Sequence, residues 1–180
     1  MKILLLILAL SLSGYIQAQV TKVSLQASGL TCSMCSNAIN KSLKSIDFVD
    51  KVDANIKTST FEITFKPGRQ IDFDRLKKKV ESAGFAVASF IATYNFNHLG
   101  IKNGGHVKIG DMMFMFLNVK DQELEGIRNI RIIDKGFVSA KEYKNNAGLT
   151  PLNCYKTGVA EPCCAKDGLI AGTRIFHATI

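Results

Sequence analysis

The sequence is poor in proline and lacks the short motifs of the common enzyme classes. Three prolines stand among 180 residues, and no proline-rich or glycine-rich linker separates the two halves of the chain. No serine, histidine and aspartate order, phosphate-binding loop, paired carboxylate motif or HExxH sequence is present. We therefore do not predict an enzyme.

Long hydrophobic runs are also missing. The apolar run at residues 3–10 is broken by serines and a glycine long before the roughly 20 residues that a membrane-spanning helix needs. Lys2 before the run and the small residue Ala18 after it are typical of a secretory signal peptide. We expect residues 1–18 to be cleaved, with an uncleaved anchor as the alternative. The mature chain would then have no membrane span and be periplasmic or secreted.

Acidic residues are fewer than basic ones. The chain has 15 of the former and 23 of the latter, a net charge of +8, and loss of the leader removes only Lys2 from the basic set. Such a balance often indicates nucleic acid, but export argues against that partner. An anionic envelope surface or an acidic protein fits better, and plain solubility is the simpler explanation.

Residues 19–90 alternate between strand and helix patterns. Apolar residues at every second position predict strands near residues 20–28, 49–56, 60–65 and 85–90. Spacings of three and four predict helices over residues 33–45 and 73–83. Asp72 is a candidate N-cap of the second helix, and Gly84 stands where a left-handed C-terminal residue is needed. The order βαββαβ predicts an α+β, ferredoxin-like domain.

Cys32 and Cys35 lie where the first strand joins the first helix. Residues three apart at a helix start return to one side, so both sulfurs can converge on one ion. The positive end of the helix dipole favours anionic sulfur, and soft thiolates select soft ions, above all Cu(I). A two-ligand surface site leaves room for an incoming thiol from another protein, which suits metal transfer.

The run Gly29, Leu30, Thr31, Cys32, Ser33, Met34 and Cys35 resembles the signature Gly-Met-Thr-Cys-x-x-Cys of the heavy-metal-associated domain family. That family includes copper chaperones, metal-pump domains and mercury-binding periplasmic proteins. The resemblance covers about residues 21–90 and implies a metal-ligand role for Cys32 and Cys35 only. Leu30 replaces the usual Met beneath the metal loop, and Phe85 stands where many bacterial members have Tyr.

A CxxC motif alone is a weak signal, and two other interpretations stay open. A thioredoxin-like redox pair also lies between a strand and a helix, but that fold needs a later proline facing the disulfide. Pro67, beside Gly68, is in a turn instead. A structural disulfide is the third reading. In an oxidising compartment, the motif binds metal only while it is reduced.

Residues 92–180 are predicted to form a small, mainly β domain, following a heavy-metal-associated domain at residues 19–91. Strands are expected at residues 107–109, 112–119, 127–133 and 175–180, with a short helix at 139–145. A barrel of the oligonucleotide-binding type is one candidate topology. Methionines at positions 112, 113 and 115 are predicted to be core filler. Histidines at 98, 106 and 177 show no ligand spacing in the sequence.

Cys154, Cys163 and Cys164 are three thiols in a chain predicted to be exported, so they cannot all pair with one another. A disulfide from Cys154 to Cys163 or Cys164 is the favoured prediction, since adjacent cysteines can join only through a strained ring. The alternative is a second metal site that receives the ion from Cys32 and Cys35.

The sequence as a whole predicts an exported soft-metal-binding protein that carries or scavenges Cu(I), with Hg(II) or Zn(II) as other ions. A metal-exchanging protein is the expected partner. Two alternative functions remain: an interaction protein whose second domain binds an unknown partner, and a thiol-disulfide redox protein.

Overall fold

The computed structural model describes residues 19–30 and 33–180, apart from the side chains of residues 163, 165 and 166. The predicted leader, 1–18, lies outside these residues. The strands are β1 (Gln19–Ser28), β2 (Val49–Asn55), β3 (Thr60–Phe65), β4 (Ala86–Ile101), β5 (His106–Ile109), β6 (Met112–Phe116), β7 (Gln122–Ile132) and β8 (Ile175–Thr179). The α-helices are α1 (Ser33–Lys44), α2 (Phe73–Ser82), α3 (Ala140–Asn146) and α4 (Cys154–Thr157), and 3-10 helices span Ala147–Leu149 and Pro162–Asp167.

The first four strands and two helices have the predicted ferredoxin-like order. The strands lie side by side as β2-β3-β1-β4, and each neighbouring pair is antiparallel. Ile39 and Leu43 anchor α1, and Phe73, Leu76 and Val80 anchor α2. All five are fully buried, as their spacing predicts.

The local signals that end the elements of this half are also confirmed. The Asp72 side chain accepts a hydrogen bond of 3.1 Å from the backbone N–H of Arg75, so it caps α2. Gly84 has a φ of 88°, a backbone conformation that a side chain would strain. The β2–β3 hairpin turns at residues 56–59.

Strand β4 is longer than the sequence pattern suggests, and it passes through the predicted boundary at residues 91 and 92. One edge of β4 pairs with β1 up to Asn95, opposite Gln19. The other edge pairs with β7 from Ile91, opposite Arg131. All eight strands therefore belong to one sheet, in the order β2-β3-β1-β4-β7-β8-β6-β5. The barrel that was one candidate topology for residues 92–180 is not confirmed, because hydrogen bonding continues directly from one half into the other.

One face of the sheet carries a core that both halves share. Phe73 of α2 contacts Phe90 of β4 and Phe176 of β8, with ring centroids 4.9 and 5.4 Å apart. Phe137 meets Phe90 and Phe176 at 5.1 and 5.9 Å. Tilted and edge-on aromatic contacts of this kind add to the free energy gained by burial. Helix α2 is therefore packed against residues from beyond the predicted boundary.

A smaller core covers the opposite face of the second half. In β6, Phe114 and Phe116 belong to the larger core, while Met115 belongs to a second cluster with Ile175 and Tyr155. This division follows from the two-residue period of a strand. Helix α3, helix α4 and the segment after it cover this face. No α-helix among residues 19–30 and 33–180 has the length and apolar character needed to cross a membrane.

Candidate metal sites

The first candidate site lies at the junction of β1 and α1. Gly29 ends the strand with a φ of 82°, a left-handed conformation suited to glycine. Cys35 is the third residue of α1 and is partly exposed, and its neighbour Met34 is 80% exposed. Cys32, the other predicted ligand, lies outside the described residues. The structure thus places one predicted ligand in the first helical turn at the surface.

The surroundings of this loop favour a negative charge. Residues 33–36, the first turn of α1, contain no acidic side chain, and Lys41 and Lys44 lie in the last turn. The positive end of the helix dipole at Ser33 is thus not neutralised by a carboxylate from that turn. Leu30 and Phe85 are partly buried against the shared core, so Leu30 provides an apolar contact in place of Met.

The second group of predicted site residues is buried. Cys154 begins α4 and Cys164 lies in the 3-10 helix Pro162–Asp167, and each is 0% exposed. Their sulfurs and one ring nitrogen of His106 all lie within 4.8 Å of one another. The side chain of Cys163 is outside the described part of the structure. The predicted disulfide therefore remains a prediction.

A chain of hydrogen bonds and ion pairs leads from this cluster to α2. His177 Nε2 is 3.5 Å from Cys154 Sγ, and its Nδ1 is 2.7 Å from Asp134 Oδ1. Arg174 Nη1 is 3.1 Å from the other oxygen of Asp134. Arg174 Nε donates to Asp74 Oδ2 of α2 at 2.7 Å. The guanidinium thus joins one carboxylate from each half, and it contacts Asp74 through both Nε and Nη2, the two-point geometry that arginine favours.

Aromatic rings enclose the same cluster. Tyr155 stacks on Tyr143 at 5.0 Å and meets the His177 ring at 5.1 Å. Its hydroxyl donates to the backbone oxygen of Ile133 at 2.8 Å. Burial raises the pKa of Tyr155, so the hydroxyl stays neutral and serves as a donor.

Sequence reasoning missed the two histidines of this region. His106 and His177 are 71 residues apart in the chain, far from any ligand spacing. They approach the cysteines only because β5 and β8 flank β6. The third histidine, His98, is exposed and pairs with Glu123. Met115 is fully buried in the smaller core, in agreement with its predicted packing role.

A ferredoxin-like arrangement with a cysteine-bearing loop before its first helix defines a class of small α+β domains. Comparison with known proteins identifies which one. The family model of the heavy-metal-associated domain matches residues 24–86 of the sequence. The periplasmic component of a mercuric transport protein from Pseudomonas fluorescens is 34% identical over 86 residues, which are 47% of this chain and 93% of that protein. The chain belongs to the heavy-metal-associated domain family.

Other relatives are much longer proteins. A probable copper-exporting P-type ATPase from Archaeoglobus fulgidus is 34% identical over 64 residues, which are 36% of this chain but 8% of the ATPase. The chain therefore spans less than a tenth of that relative.

Among solved structures, the yeast copper transporter domain Ccc2a is 31% identical. The match covers 37% of this chain and 90% of the domain, with a TM-score of 0.34.

Proposed function

We propose that the protein binds one soft metal ion between Cys32 and Cys35 and passes it to a partner protein outside the cytoplasm. Cu(I) is the first candidate ion, and Hg(II) and Zn(II) are the others. The position of Cys35 carries this proposal: it is a partly exposed thiol in the first turn of α1, in a chain that belongs to the heavy-metal-associated domain family. One relative is the periplasmic component of a mercuric transport protein, and another is a probable copper-exporting P-type ATPase.

The chemistry of the loop supports transfer over storage. Two thiolates satisfy Cu(I) in a near-linear arrangement, whereas Zn(II) prefers four ligands. Met34 is 80% exposed beside Cys35, so this stretch of α1 is open to solvent. An incoming thiolate from a partner can then join the ion before the first pair of sulfurs releases it. The protein acts as a carrier in this scheme, and no bond of a substrate is broken.

Titration of the full chain with Cu(I) tests the proposal. Under anaerobic, reducing conditions and against a competing chelator, the Cys32→Ser and Cys35→Ser variants should each lose the ion bound at the loop. Ser33→Ala is the matched control, because it alters an exposed residue of the same loop and removes no thiol. Cys154→Ser/Cys163→Ser/Cys164→Ser as a background isolates this loop from the other cysteines. Undiminished copper binding by Cys32→Ser/Cys35→Ser in that background would contradict the assignment.

Export is tested separately. If the leader at residues 1–18 is cleaved as its composition indicates, intact-mass analysis of the natural protein should give a chain beginning at Gln19. The protein should also be recovered from the periplasm or the medium. A soluble cytoplasmic pool that retains Met1 would contradict the proposed location.

A further inference from the structure

The cluster of Cys154, Cys164 and His106 has the composition of a metal site. It offers two sulfurs and one imidazole nitrogen within 4.8 Å of one another. The cysteines are 0% exposed, and the His106 side chain is 3% exposed. Thiolate and imidazole together are the ligands that Cu(I) and Zn(II) prefer.

The sheet brings these residues together through its register. His106 of β5 stands opposite Met115 of β6, and Met115 stands opposite His177 of β8. Residues in register on neighbouring strands share one face of a sheet. The three side chains therefore form a row across the smaller core, and Cys154 and Cys164 belong to the cluster that covers Met115.

His106 has an unused nitrogen at this position. Its Nδ1 lies 2.6 Å from Asp167 Oδ2, which holds the ring in place. Its Nε2 is buried and makes no hydrogen bond among the described residues. Buried polar atoms almost always have a partner. A carboxylate on one nitrogen and a metal on the other is the usual setting of a ligating histidine, so the missing partner of Nε2 is explained by an ion.

His177 supports one of the sulfurs. With its Nδ1 held 2.7 Å from Asp134, its Nε2 faces Cys154 Sγ at 3.5 Å. The ring is 0% exposed and is fixed from its other side by Tyr155. His177 is therefore a positioning residue, whose fixed ring lies against the Cys154 sulfur.

We propose that Cys154, Cys164 and His106 form a second, buried site that binds Cu(I) with two sulfurs and one nitrogen. The two thiols release their protons to solvent when the ion binds, and no oxidation or reduction takes place. The proposal goes beyond the loop of Cys32 and Cys35 and does not depend on it. It also differs from the three-thiolate site of Cys154, Cys163 and Cys164, which the sequence offered as the alternative to a disulfide, because the set includes His106.

X-ray absorption of the full-length Cys32→Ser/Cys35→Ser variant tests this site without changing any of its ligands. The reduced protein, loaded with Cu(I) and freed of excess ion on a desalting column, should retain one equivalent. Its copper edge should be that of three-coordinate Cu(I), with sulfur and imidazole scattering. Retention of no copper, or copper with sulfur ligands alone, would overturn the proposal.

Substitutions in the same background identify the ligands. Cys154→Ser/Cys164→Ser should lose the retained copper. His106→Asn should lose the imidazole scattering and weaken binding at least tenfold, while His98→Ala, at an exposed histidine, should match the parent variant. Unchanged imidazole scattering in His106→Asn would overturn the assignment of that ligand. Circular dichroism establishes that each variant is folded.

Peptide mapping separates the metal site from the predicted disulfide. The natural protein, alkylated under denaturing conditions without reductant, should show Cys154 and Cys164 alkylated. A Cys154 peptide linked to Cys163 or Cys164 would overturn the proposal in favour of a structural disulfide. Failure here leaves the loop of Cys32 and Cys35 untouched, because that loop is tested in its own background.

Discussion

The two cysteine-bearing regions of this chain differ in the solvent exposure of their cysteines and in the side chains that surround them. In the first region, residues 19–91, Cys35 lies at the surface in the first turn of a helix. In the second, residues 92–180, Cys154 and Cys164 lie in the short helices that cover the sheet, and their side chains are buried beside His106 and His177. A partly exposed thiol such as Cys35 can be reached by another protein, whereas the buried thiols of Cys154 and Cys164 are shielded from solvent. The contrast teaches that one sheet can place cysteine side chains in two different environments, one open to solvent and one buried.

The two regions are nevertheless one structural unit. Strand β4 belongs to both, and an aromatic core and the Arg174 bridge join them. Substitutions in either region should show whether the two regions behave as one unit or as two. They are given from the largest expected effect to the smallest.

Replacing Phe176 with Ala should cause the largest loss, about 3–5 kcal/mol in the free energy of unfolding. Its ring contacts Phe73 in the first region and Phe114 and Phe137 in the second. Urea unfolding followed by circular dichroism should show one transition at a lower midpoint. Ile127→Ala, at a site 69% exposed, should change stability by less than about 0.5 kcal/mol. Two separate transitions would show that the regions unfold independently.

Arg174→Met should destabilise the chain by roughly 1.5–3 kcal/mol, the cost of losing hydrogen bonds between charged groups. The change leaves Asp134, which is 4% exposed, without its cation, and it also frees Asp74 in α2. A double-mutant cycle with Asp74→Asn should give a coupling energy of about 0.5 kcal/mol or more. Arg128→Met is the control at an exposed arginine. Zero coupling would mean that the bridge does not connect the regions energetically.

Asp72→Ala should cost about 1 kcal/mol, because it removes the side-chain cap of α2. Asp72→Ser should retain most of that stability, since serine can also accept the hydrogen bond from the Arg75 N–H. Thermal unfolding of both variants measures the difference. If the alanine and serine variants were equally stable, the cap would contribute nothing to the first region.

The smallest effect concerns His98, an exposed residue of the second region. Its hydrogen bond to Glu123 and the charges of Glu125 and Glu123 raise its pKa above the ordinary 6.5. A pKa raised on folding stabilises the protein at pH values below the unfolded value, and this contribution disappears as pH rises through the folded pKa. NMR titration should show the raised pKa, and Glu123→Gln should lower it. An unchanged pKa in that variant would contradict the assigned cause.

Much of the first region could be predicted because its signals are local. Apolar spacing identified Ile39 and Leu43 as the buried side of α1, and Asp72 as the cap of α2 was readable from its position before a helical stripe. The strands of the second region were also found near their true positions. Their pairing was not, since the boundary at residues 91 and 92 falls within β4 and no turn or linker marks the continuation of that strand.

The sequence by itself determined the ferredoxin-like order of residues 19–90 and contains the motif that predicts a metal loop at Cys32 and Cys35, because period, caps and motif spacing act over a few residues. Only the tertiary structure decided that the sheet continues to eight strands and that His106 meets Cys154 and Cys164. Contacts between residues 48 and 58 positions apart depend on strand order and on which face each side chain occupies. Those are set by the burial of the whole sheet, which no short stretch of sequence encodes.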